Sequence, residues 1–246
     1  MLYNTLTYSP QATSTNKLGI TGYTEQFASQ SDLTDFVTRF RSDAATANFS
    51  VVTVNGGVNN QSHPGGEVRP VLHVEGGCGC NILSQANLDV QYAGSISYPT
   101  PNIFYSTAGV PPFITDVQET TNLNEPYLDW LDFILIQKTI PQTISTSYGD
   151  DEQTVPRDYA TSVCNMFAQL GVMGVSILFG SGDGGVGGVG LVNGSCLSND
   201  GTNRTEFLPM FPASCVCYFV SITNTRDLLD GDCKVPLSRQ LVAQLK

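Results

Sequence analysis

Gly174-Val175-Ser176-Ile177-Leu178-Phe179-Gly180-Ser181-Gly182-Asp183-Gly184-Gly185 is an apolar run that breaks into a glycine-rich turn bearing one carboxyl group. Residues 174–179 suit a strand buried on both faces, as strands are inside a parallel sheet. Open α/β sheets place their sites at the carboxyl ends of such strands, and Asp183 stands at that point. A phosphate cradle would need the Lys-[Ser/Thr] of a P-loop and a helix after the glycines. Here the loop leads into Val192-Asn193-Gly194-Ser195, which is turn material. Nucleotide binding is therefore not expected.

Working backwards, residues 143–148 read as a strand, and Thr154-Val155-Pro156 opens a helix through Leu170 with proline in its first turn. Residues 125–138 carry helical spacing in Tyr127, Trp130, Leu131 and Ile134. Further back come a strand at 103–106, a helix at 86–94, and a strand at 49–54 ending in Asn55-Gly56-Gly57. Ser31 and Asp32 offer caps to a helix through about residue 47, with Leu33, Phe36, Val37 and Phe40 on one face, and residues 18–23 read as the first strand. Repeated strand–helix–strand units predict an α/β fold with a mostly parallel sheet flanked by helices. The 246 residues suffice for one core, and no long linker divides them. Two stretches fit neither period: residues 68–85, and the tail 216–246 beyond Cys215.

Eleven basic against twenty-two acidic residues give a net charge of −11, so nucleic acid and anionic membranes are poor partners. No run approaches the roughly 18 apolar residues of a membrane-spanning helix. An acidic chain with only 13% charged residues suits a secreted protein at low pH, and four Asn-x-[Ser/Thr] sequons (Asn48, Asn60, Asn193, Asn203) point the same way. Met1 opens directly into Leu2-Tyr3-Asn4-Thr5 without a signal peptide, so the expectation is an intracellular chain or a precursor lacking its N-terminus. Seven cysteines include the pairs Cys78/Cys80 and Cys215/Cys217, but His63 and His73 are badly spaced for zinc. Unrelated thiols or partial disulfides are expected instead, with Cys196–Cys215 as the expected bridge.

Ser181-Gly182-Asp183-Gly184, Asn87-Leu88-Asp89-Val90-Gln91-Tyr92, Asn124-Glu125-Pro126-Tyr127-Leu128-Asp129-Trp130-Leu131 and residues 145–153 closely resemble the sedolisin, or serine-carboxyl peptidase, family. So do residues 203–209 and 211–215, and the resemblance looks closest to the fungal tripeptidyl-peptidase-like branch. It covers most of residues 1–67 and 86–215, in family order. The resemblance implies a subtilisin-like α/β fold, an extracellular setting, and acid proteolysis of peptide or protein substrates through an acyl-enzyme. In the family a Glu and an Asp four residues apart on one helix serve a Ser in Gly-Thr-Ser-x-Ser. A separate Asp in Ser-Gly-Asp donates a proton to the oxyanion. A carboxylate base suits acidic solution as histidine suits neutral, and a protonated Asp donor needs low pH or a raised pKa. Carried over, Asp89 matches the triad Asp and Asp183 the oxyanion Asp, while Ser147-Tyr148-Gly149 resembles the edge along which substrate backbone pairs. Plain sheet is the competing reading of that edge.

The chain departs from the family twice. Gln85 stands where the triad Glu belongs, and an amide cannot accept a proton. Glu67 ends the family-like run His63-Pro64-Gly65-Gly66-Glu67, and removing residues 68–85 joins it to Ala86 and restores Glu-x-x-x-Asp in register. The removed piece is eighteen residues, so 54 nucleotides at three per residue, which keeps the frame. It starts with Val, whose codons begin GT, and ends with Gln, whose codon can be CAG, the letters at an intron's two ends. A retained intron is the hypothesis, and a genuine surface loop beside the active site is its rival. A cDNA lacking those 54 nucleotides is the expected result; a uniformly longer transcript contradicts it.

The second departure is that no Gly-Thr-Ser-x-Ser occurs, and resemblance ends at Cys215. The family's nucleophile and its calcium site both lie beyond that point, so no cofactor or metal is expected in this chain. The expectation is a partial peptidase domain over 1–215, truncated before its C-terminal part, followed by a divergent tail. Such a chain should be inactive and prone to aggregate through an uncovered sheet edge. Two other readings stay open: a non-catalytic pseudopeptidase that binds extended peptides, and a generic secreted α/β binding domain.

Overall fold

Short β-branched and aromatic runs, each closed by Gly, Asn or Pro, become the strands, and amphipathic segments between them become the helices. The structure, a computed structural model, describes residues 11–62, 85–188, 196–215 and 220–222. In chain order its elements are β1 (Leu18–Gly22), α1 (Gln30–Phe40), β2 (Phe49–Val54), α2 (Gln85–Ser97), β3 (Asn102–Thr107) and α3 (Tyr127–Leu135). There follow β4 (Thr143–Thr146), β5 (Asp150–Asp151), α4 (Arg157–Val172), β6 (Ser176–Gly180), β7 (Met210–Phe211) and β8 (Val220–Ile222). Six strands form one sheet in the order β2-β3-β1-β4-β6-β8, and every pairing in it is parallel. The α/β expectation is met. β5 and β7 make a separate antiparallel ribbon.

Strand alternation sorts the core into two layers. Val52, Val54, Ile103, Tyr105, Ile144, Ile177 and Phe179 face α3 and α4, where the fully buried Trp130 packs edge-on to Tyr105 and tilted against Phe167. The alternate residues Phe49, Val51, Phe104 and Ile20 face α2 and its Ala86 and Val90. Helices α1 and α2 cover this second face over β1–β3. On the β4 side the same face shows Ser145 and Ser147 and is left as a cleft.

Three local differences from the expected elements have physical reasons. Helix α1 starts earlier, because Ser29 caps it by accepting the Asp32 N–H at 3.3 Å. It stops at Phe40 rather than near residue 47, since Arg41 leaves helical geometry and the small Ala44 and Ala47 fold back to close a separate cluster with Leu33 and Val37. Within the tail, Val220–Ile222 pairs with Leu178–Gly180, so β6 is not the sheet's last strand.

The expected Cys196–Cys215 bridge is corrected. Cys215 pairs with Cys164, with their Cα atoms 5.5 Å apart. The turn after β7 carries Cys215 onto α4, where both residues pack against the α3/α4 core. Cys196 is bonded to a different partner.

Candidate active site

Because all six strands run the same way, their carboxyl ends gather the loops 23–29, 55–58, 147–149 and 180–188 at one edge of the sheet. The turn after β1 is forced: Thr24 and Glu25 both take left-handed backbone, at φ 53° and 61°. For a β-branched residue this costs on the order of 1 kcal/mol or more, so the surroundings must hold it there. It delivers Gln26, whose Oε1 accepts the Ala86 N–H at 3.0 Å and the Tyr148 hydroxyl at 3.1 Å. One side chain thus satisfies an open N–H in the first turn of α2 and ties that turn to the end of β4.

Asn87, 2% exposed, fixes α2 from the other side. Its Oδ1 accepts the Ser29 N–H at 2.8 Å, and its Nδ2 donates to Asp32 Oδ2 at 2.9 Å. Asn87→Ala should cost about 2 kcal/mol, because the buried Ser29 N–H loses its acceptor. A urea titration read against the unchanged chain checks this, and an unaltered midpoint contradicts it.

So held, α2 presents Gln85 and Asp89 one turn apart. Gln85 Nε2 donates to Asp89 Oδ1 at 2.8 Å. Burial pushes the Asp89 carboxyl up to about 6, against the opposing pull of Gln85 and Ser147. Ser147 lies close enough to exert that pull, yet Asp89 Oδ2 is buried and, among the described residues, accepts no hydrogen bond of good geometry. The cleft around this group has a volume of about 390 Å³ and is lined by Leu88, Asp89, Tyr92, Ala93, Ser145 and Ser147. Its floor, Ser145 and Ser147, is polar, and its α2 wall sets Asp89 among Leu88, Tyr92 and Ala93.

Ser147-Tyr148-Gly149 continues β4 beyond its last paired residue, Thr146. Ser147 faces the cleft, but Tyr148 is a core residue, edge-on to Tyr23. Gly149 is glycine for space: a Cβ there would lie 2.7 Å from Met210 Cε and 2.8 Å from the Phe211 carbonyl. The loop after β6 starts beside this segment, a Cβ on Gly180 lying 3.9 Å from Ser147 Cα. Three residues on it carries the exposed Asp183, which is not part of the cleft lining. The structure therefore brings Asp89, Gln85 and Ser147 together and sets the Asp183 loop next to them. Glu67, and residues 68–84 of the sequence-predicted insertion, lie outside the described residues.

A second acidic group lies near the β5–β7 ribbon. Asp116, Glu119, Glu125, Asp150 and Asp151 are all buried, contributed by the loop before α3 and by β5. Asp116 is well satisfied, accepting from the Gln118 and Glu119 N–H groups and from Gln153 Nε2. Burial pushes both the Asp150 and the Glu125 carboxyls up, and the neighbouring Glu125 charge adds to the rise at Asp150. Burial, with Asp151, Asp116 and Glu125 adding repulsion, pushes Glu119 up to about 7. Among the described residues no group of three or more His, Cys, Asp or Glu is arranged to hold a metal ion. Sequence reasoning missed Gln26, Asn87 and this cluster. The Asx and acidic residues of 116–125 and 150–151 carry no local mark of burial.

No protein-family model matches the chain. Over 210 residues it is 40% identical to tripeptidyl-peptidase SED2 of Arthroderma otae, a match covering 83% of this chain and 32% of that relative. It is 37% identical over 219 residues to tripeptidyl-peptidase sed4 of Aspergillus fumigatus, covering 87% and 33%. The chain thus spans about a third of the length of the curated relatives it matches. Among solved structures it is similar to Pseudomonas sedolisin, a serine-carboxyl proteinase complexed with two molecules of pseudo-iodotyrostatin. That likeness has 15% identity and a TM-score of 0.45, over 88% of this chain and 50% of that one.

Proposed function

Since the greater part of this chain is sedolisin-family sequence, we propose that it supplies the carboxyl half of a serine-carboxyl peptidase site that cleaves peptides in acid. In that reading Asp89 orients a glutamate four residues before it, which is Glu67 once residues 68–85 are removed. The glutamate takes the proton from a serine hydroxyl as the serine oxygen bonds to the scissile carbonyl, and returns it to the departing amine. Asp183, protonated, donates to the oxyanion. Ser147-Tyr148-Gly149 aligns the peptide backbone. The acidic charge, the sequons and the disulfides support an extracellular setting.

The observation that carries the reading is the Gln85–Asp89 contact at 2.8 Å in the cleft. A carboxylate in place of the Gln85 amide would meet Asp89 at the same spacing and could exchange a proton. As written, the 246 residues hold an amide there and no Gly-Thr-Ser-x-Ser, so by themselves they bind peptides without cleaving them.

The test is anisotropy of labelled extended peptides at pH 4, with mass analysis of the products. Saturable binding with intact peptide is expected. Released tripeptides would overturn the inactivity of this chain. Neither binding nor cleavage would leave the generic α/β domain as the better reading.

A further inference from the structure

The β5–β7 ribbon touches both flanks of the candidate site. Asp151 and Met210 face each other across it. Met210 lies under Gly149, with Cε 2.7 Å from where a Cβ would stand, and under Gly182, with Sδ 3.2 Å from where a Cβ there would stand. Asp151, with no exposed surface, reaches the far side of the same loop, where its carboxylate fills the space that a side chain on Gly188 would need. Gln118 Nε2 steadies that carboxylate, donating to Oδ2 at 3.1 Å.

The loop is closed on itself at this point. Gly188 O accepts the Gly184 N–H at 3.1 Å and lies 2.6 Å from where a Cβ on Gly182 would stand. Gly182 and Gly188 both have left-handed backbone, at φ 84° and 72°, so the contacts depend on glycine twice over. Asp183 sits between these fixed points.

We propose that Asp151 is a positioning residue: it clasps the glycine-rich loop at Gly188 to the β5–β7 ribbon, which sets the place of Asp183 relative to Ser147–Gly149. The importance of that placement rests on the reading of Asp183 given above, whereas the clasp itself does not. The ribbon works as a spacer: Met210 bears on the segment before it and on the start of the loop, and Asp151 bears on the loop's end. Loss of the carboxylate's grip should free residues 181–188 while leaving the sheet intact. It should also relieve Glu119, on which the Asp151 charge acts unfavourably.

Those two effects have opposite signs, and that separates positioning from general support. In Asp151→Asn, amide exchange over residues 181–188 at pH 5 should quicken about tenfold or more, with a urea midpoint equal to or above that of the unchanged chain. Gly188→Ala should loosen the same amides from the other side of the contact. Asp158→Asn, exposed on α4, should do neither. Unchanged exchange in Asp151→Asn overturns the clasp, as does loosening that merely tracks a lower midpoint. Peptide affinity at pH 4 should fall in Asp151→Asn as it does in Asp183→Asn. Loosening without that fall upholds the clasp and removes Asp183 from the site.

Discussion

The chain should be most stable in acid and should lose about 6 kcal/mol or more between about pH 4 and pH 8. Asp150, Glu125, Glu119 and Asp89 all have their pKa raised by burial. Over that window the unfolded chain has released these protons and the folded chain keeps them. The unfolded state therefore binds fewer protons, and stability falls as pH rises. The contribution is complete below about pH 4, where both states are protonated. The share of Asp89 and Glu119 is spent once the pH passes their folded values of about 6 and about 7.

Glu119 moves from 4.5 to about 7 and Asp89 from 3.8 to about 6. At roughly 1.4 kcal/mol per pKa unit these two alone amount to about 6 kcal/mol, and Asp150 and Glu125 add in the same direction. A small domain has only about 5–15 kcal/mol in total, so neutral solution should bring this one near unfolding. Trp130 is the single tryptophan and is fully buried, so its fluorescence reports the urea midpoint directly. A midpoint that is flat or rising from pH 5 to 8 contradicts the account. Glu119→Gln should flatten the decline, because it removes a carboxyl whose shift alone is worth about 3 kcal/mol.

Opening the Cys164–Cys215 bridge should cost about 4 kcal/mol, the chain-entropy value for a loop of this size. The two cysteines are 51 residues apart, and the loop they close contains β6, the glycine-rich turn and β7. The double replacement Cys164→Ala with Cys215→Ala isolates this bridge from the one at Cys196, which a reductant would also open. The tryptophan signal at pH 5 gives the urea midpoint of each form. Equal midpoints would mean that the bridge merely joins segments already held by the α3/α4 core.

The sheet was legible because its signals are local. Residues 49–54 and 174–179 alternate or run apolar and end in glycine, and Tyr127, Trp130, Leu131 and Ile134 recur at helical spacing. The ribbon was not legible, since two residues, Asp150 and Asp151, are too few to show a period. Nothing local marks them as interior; pairing with Met210 and Phe211 and packing beneath the loop before α3 make them so. Asp89 and Gln85 could be placed on one helix face from their spacing. The groups that hold that helix, Gln26 and Asn87, act across 60 and 58 residues and leave no trace in a window of sequence. The bridge failed for the same reason: Cys164 and Cys215 stand 51 residues apart and meet because the turn after β7 returns to α4.

The order of strands in the sheet also dictates the order in which a growing chain can gain structure. The first two strands made, β1 and β2, do not touch, because β3 lies between them and pairs with both. Until residues 102–107 emerge, β1 and β2 have no strand to pair with, although α1 can already close its small cluster with Ala44 and Ala47. From then on the two sides differ. β4, β6 and β8 join one after another as they are synthesised, while β2 must wait for β3 and be captured backwards. Long-range parallel pairing of this kind is slow and leaves partly made chains open to association. β1 and β2 thus stay open to association for as long as β3 is missing.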